Sequence, residues 1–190
     1  MPQRVVLFIA AVILFASPPG AHAQIPRIWS AAGVTGAVDE AGVSLYKFND
    51  TGSVSIKSSS IGTLNMRYPV QTMEDLLVPQ EGDCPELRVQ LRDTGAGSRV
   101  IIRLMQLGSG LGRGLTSLGQ IDSDTLPAIS DPTQYRSVHV CLTPSGGSEF
   151  LFDYAFFTYY VDVQLIKTTA SANPGVLTLQ ICPSQDGCDP

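Results

Sequence analysis

The sequence predicts an all-β fold, an antiparallel β-sandwich in a single domain, and three observations carry that reading. Apolar and polar residues alternate with period two in segment after segment. Helical spacing hardly appears, and Gly- and Pro-rich turns separate the alternating segments. About eight short strands broken by such turns suit two stacked sheets, and a jelly roll is one topology that fits.

The elements follow in chain order. Val43 to Phe48 is β-prone, Asn49-Asp50-Thr51-Gly52 reads as a turn, and Val54 and Ile56 continue beyond it, so a hairpin is expected. In Thr63 to Val70, residues Leu64, Met66, Tyr68 and Val70 share one face while Asn65 and Arg67 take the other. Pro69 marks an edge or the end of pairing, because proline has no N–H to donate. Leu87, Val89 and Leu91 alternate with Arg88, Gln90 and Arg92, the pattern of a half-buried antiparallel strand. The turn Asp93 to Gly97 leads into a further strand from Arg99 to Leu107. Val138, Val140 and Leu142 repeat the pattern, as do Phe157 to Leu165 and Leu177 to Ile181. The one helix candidate is a turn or two at Thr72 to Leu77. Gly108 to about Gln134 reads as one long irregular loop.

Residues 1–23 stand apart from the β pattern. Arg4 precedes an unbroken apolar run, Val5 to Ala16, and Ser17-Pro18-Pro19-Gly20 breaks any helix ahead of Ala21-His22-Ala23. A basic start, a short apolar run and a small-residue A-x-A site form a secretory signal peptide. Residues 24–190 are then the mature domain, secreted to a periplasmic or extracellular location. A membrane helix needs roughly 20 apolar residues, more than this run supplies, and no later segment of the mature chain supplies them.

The four cysteines, Cys84, Cys141, Cys182 and Cys188, all fall in the exported part. An even count in an oxidising compartment predicts two disulfides, with three connectivities open. Cys84–Cys141 with Cys182–Cys188 is the preferred one, since the turn-forming Pro183 to Gly187 segment can close a local ring. No C-x-x-C spacing supports a metal site.

Composition excludes several functions. A net charge of −5, with no basic block, argues against nucleic acid and anionic lipid. Once the signal is removed, His139 is the last histidine, which removes metal motifs built on two. No metal and no cofactor are expected. Gly108 to Gly114 is glycine-rich but lacks phosphate-loop spacing. His139 sits opposite Val138 and Val140 on the polar face of its strand, and no G-x-S-x-G elbow accompanies it. Asp39 and Glu40 are adjacent, and neighbours in an extended chain point to opposite faces, so they do not form a facing carboxylate pair.

Seven aromatics, Phe150, Phe152, Tyr154, Phe156, Phe157, Tyr159 and Tyr160, crowd one segment. Period two sends Phe157 and Tyr159 to the core. Tyr160 falls on the outer face with Asp162 and Gln164, and a ring beside carboxylate and amide groups is chemistry that holds sugars. These three are the candidate ligand residues, although most of the seven rings are expected to be buried.

No assembled catalytic chemistry is legible, so no enzyme is expected. The reading is an exported, disulfide-stabilised β-sandwich with a non-catalytic binding or structural role. A carbohydrate-binding module is the alternative, an extracellular hydrolase the third reading. The partner classes left open are a glycan and a cell-surface protein.

Overall fold

The computed structural model describes residues 28–71, 85–108, 114–127, 135–142 and 152–182. The signal segment, the Thr72–Leu77 helix candidate, Phe150, Cys84 and Cys188 lie outside the described residues. In chain order the strands are β1 (Trp29–Ala32), β2 (Ala37–Val38), β3 (Tyr46–Phe48), β4 (Val54–Ile56), β5 (Gly62–Val70) and β6 (Glu86–Arg92). They continue as β7 (Ser98–Gly108), β8 (Leu115–Asp122), β9 (Arg136–Cys141), β10 (Phe157–Lys167) and β11 (Gly175–Cys182).

Two antiparallel sheets face each other. One runs β3-β4-β11-β6-β9, with β1 beside β11; the other runs β2-β5-β10-β7-β8. Four of the pairs are nested: β7 with β8, β6 with β9, β5 with β10 and β4 with β11. One long hairpin, turning between β7 and β8, has been rolled up so that its arms alternate between the sheets. The β10–β7 and β11–β6 pairs close the roll, giving the strand order of a jelly roll.

Alternation explains which face is inside. Leu64, Met66 and Tyr68 of β5, Val161, Val163 and Leu165 of β10, and Ile102 and Leu104 of β7 meet Leu87, Val89 and Leu91 of β6 and Leu179 and Ile181 of β11 in the core. Lys167 continues the inward face of β10 and is itself buried. Its ammonium donates to the carbonyl oxygens of Lys57 (2.9 Å) and Ser58 (3.0 Å), so a charge that would otherwise oppose burial is hydrogen-bonded.

Three expectations need correction. The first hairpin is present, with Gly52 at φ 80° in its turn, but its first strand is only Tyr46–Phe48. The residues before it form a 3-10 turn at Glu40–Gly42, and Val43 is αR. Second, the expected long loop contains β8 and a further 3-10 turn, Ser123–Thr125. The inward residues of β8, Leu118 and Ile121, are three apart because the β7–β8 register shifts between Leu104 and Met105. That bulge breaks the period-two signal. Third, about eight strands were expected and the described residues hold eleven, in part because β1 and β2 are too short to show an alternation.

The described cysteines lie on two strands with β6 between them. Glu86 is opposite Cys141 on one side and Cys182 on the other. Two strand spacings are about 9.5 Å, beyond the roughly 7 Å Cα limit of a disulfide. Neither residue is a free thiol, and a bridge between these two is excluded.

Candidate functional site

The outer face of the five-stranded sheet is where the candidate residues come together. Tyr160, Asp162 and Gln164 point outward from β10, the middle strand, and all three are half-buried. Their neighbours are set by register. Tyr160 lies between Pro69 of β5 and Met105 of β7, Asp162 between Arg67 and Arg103, and Gln164 between Asn65 and Ile101.

The middle row is a charge ladder across the sheet. Asp39, just past β2, meets Arg67 at 3.6 Å, and Arg67 meets Asp162 at 3.7 Å. Asp162 meets Arg103 at 3.8 Å, and Arg103 donates to Gln120 of β8 at 2.8 Å. The carboxylate contacts are ion-pair distances, too long for hydrogen bonds, so the Asp162 oxygens keep acceptor capacity for a ligand. Burial pushes the Asp162 carboxyl above the ordinary aspartate range; Arg67 and Arg103 pull it back, and Asp39 adds to the rise. In the next row Gln164 donates to Asn65 at 3.0 Å, which fixes both amides.

Beyond Tyr160 the same face turns apolar. Leu107 and Leu115 oppose each other at the end of the β7–β8 hairpin and are exposed. The face therefore grades from exposed aliphatics through one aromatic ring to charged and amide groups.

The other aromatics divide as period two expects. Tyr159 is buried and Phe157 packs against the core. Phe152 and Tyr154 pack there too, their rings edge-on to Tyr159 at 4.7 and 5.1 Å between centroids. Burial raises the Tyr154 phenol to about 12. Phe156 is exposed. His139 is exposed on the outer face of the opposite sheet, far from this face in strand order. Asp39 pairs with Arg67, and Glu40 opens the 3-10 turn. Among the described residues no cluster of three or more metal-ligating side chains occurs, and no helix is long and apolar enough to cross a membrane.

The sequence matches no protein-family model and no curated protein. Several solved structures are similar to this chain at low identity. The C-terminal CBM6 of LamC, a marine laminarinase from Zobellia galactanivorans, is 14% identical with a TM-score of 0.45, over 82% of this chain and 99% of that one. A cleaved adhesin domain of Lys-gingipain from Porphyromonas gingivalis is 14% identical with a TM-score of 0.42, over 82% and 97%. A family two carbohydrate esterase from Cellvibrio japonicus is 10% identical with a TM-score of 0.40, over 84% of this chain. The chain spans 34% of that esterase's length. At these identities and scores the likeness is one of fold and does not bear on ligand or activity.

Arg67, Arg103, Asn65 and Gln120 were missed as site residues by sequence reasoning. Alternation already put Asn65 and Arg67 on a polar face. What sequence lacked was the knowledge that β5 and β7 flank β10.

Proposed function

We propose that this is a non-catalytic binding protein acting outside the cytoplasm, and that it holds a glycan on the outer face of its five-stranded sheet. The observation that carries this is the placement of Tyr160. Its ring is half-exposed on the middle strand, beside a carboxylate and amides held in place by their neighbours. A sugar offers an apolar C–H face to such a ring and hydroxyls to such groups, and side chains already fixed lose little entropy on binding. Catalysis by paired carboxylates is disfavoured, because Arg67 stands between Asp39 and Asp162 where a substrate bond would have to lie. Export by the residue 1–23 signal, and two disulfides, belong to the same proposal.

A glycan array with the wild-type protein, repeated with Tyr160→Ala, tests it. Binding to at least one glycan should be lost in the variant while the melting temperature stays nearly unchanged. If Tyr160 is structural instead, the variant loses about 3 kcal/mol or more of stability, as buried aromatics do.

A further inference from the structure

The same outer face ends in a hollow that the Tyr160 site does not use. The β6–β7 turn lies beside the far end of β10 and borders an open hollow of about 440 Å³ lined by Gly95, Gly97, Arg99, Asp124, Ile166 and Thr168. Glycine makes this wall possible. Gly97 has φ 84°, and a side chain there would strike the Thr169 and Thr168 side chains. The turn can thus lie flat on the chain after β10, where the Thr168 amide donates to the Gly97 carbonyl at 2.8 Å.

The lining defines the ligand by charge and by hydrogen-bonding type. Arg99 is committed: its guanidinium donates to both carboxylate oxygens of Asp122 and reaches Asp124 at 3.3 Å. One guanidinium with two carboxylates leaves a net negative charge, which disfavours an anion. A cation finds both carboxylates already engaged by arginine. Asp124 nevertheless has 54% of its side chain exposed and keeps acceptor capacity. Thr168 offers a hydroxyl that both donates and accepts, and Ile166 an apolar surface. An uncharged ring with several hydroxyls satisfies all three, and the volume suits one or two such rings.

We propose that this cavity is a second subsite, for one neutral sugar unit, at the opposite end of the face from Tyr160. Ile166 lies six positions along β10 from Tyr160, about 20 Å, so the two are engaged by different units of a long glycan. The choice of a sugar rests on the binding role proposed above; the cavity and its uncharged ligand do not.

The test uses free glucose, galactose, mannose and xylose, each titrated into the ¹⁵N-labelled protein. At least one should shift the amide signals of Gly95, Ala96, Gly97 and Thr168 saturably, with a dissociation constant on the order of 1 mM. Asp124→Ala should weaken that binding by about tenfold, near 1.4 kcal/mol. Tyr160→Ala should leave it unchanged. No saturable shift with any of the four sugars, or shifts that Asp124→Ala leaves intact, would overturn the subsite. The array reads the other site separately. Tyr160-dependent array binding with silent cavity amides sinks only the subsite; cavity shifts without any Tyr160-dependent binding sink the role proposed for Tyr160 and keep the subsite.

Discussion

A phenol inside an apolar core has to find a hydrogen-bond acceptor, and Tyr68 finds one 35 residues away. Its hydroxyl donates to the Gly33 carbonyl at 2.7 Å, and burial holds its ionisation well above the ordinary tyrosine range. Tyr68→Phe keeps the packing and strands that carbonyl, so urea unfolding should show a loss of about 1–3 kcal/mol. Leu91, fully buried on β6, tests packing rather than polarity. Leu91→Ala should cost about 2–5 kcal/mol, and Lys47→Ala on an exposed edge close to nothing. A loss at Leu91 no larger than that at Lys47 would mean that Leu91 does not face the packed core. Residues of this kind were legible in the sequence because period two states a face directly. The same rule put Tyr160, Asp162 and Gln164 together on one side of β10. It had no way to supply Arg67 and Arg103, whose positions depend on which strands the roll brings alongside.

At the scale of elements, β8 shows where alternation stops being readable. One extra residue in a bulge moves Leu118 and Ile121 three apart, and a strand looks like loop. The same strand ends in Asp122, which fastens it to β7 through Arg99. The Arg99 hydrogen bonds hold the Asp122 carboxyl below its ordinary range against the opposing effect of burial, helped by the Asp124 amide and by Arg99 and Arg103 charge. A lowered value means that the folded state favours the ionised form. The stability this contributes is present above the ordinary aspartate range, near pH 4, and is lost as pH falls through the lowered value. Asp162 has the opposite sign, since its raised value favours the neutral form in the folded state, and its contribution is lost as pH rises. Thermal melts between about pH 7 and pH 3 should separate them. Asp122→Asn should lower the melting temperature by several degrees at pH 7 and flatten its fall in acid, whereas Asp162→Asn should cost little at pH 7. An acid slope unchanged by Asp122→Asn would show that the Arg99 contact does not stabilise the fold.

For the whole molecule, the fold class was legible and the rolled topology was only one of the options, because nesting is a property of pairs far apart in sequence. The cysteines follow the same logic. Their even count suggested bridges, but only the strand order excludes Cys141–Cys182, so the two proposed bridges would divide Cys84 and Cys188 between them. Peptide mapping of the unreduced, exported protein should find Cys84–Cys141 with Cys182–Cys188 and a chain starting at Gln24. A Cys84–Cys182 link would replace that pairing, and a retained Arg4 to Ala16 segment would show an anchored chain. One arrangement also carries a consequence in time. β11 borders β6 along one side and shares its other side between β1 and β4, so the first described strand has its sheet partner in the last. Val54 and Val176 are about 120 residues apart, and such distant pairings form slowly. While the chain is being made, β1 has no neighbour to join among the earlier described strands, and the roll stays open until β11 has emerged. A chain that cannot close early is still slack enough to be threaded through a narrow pore.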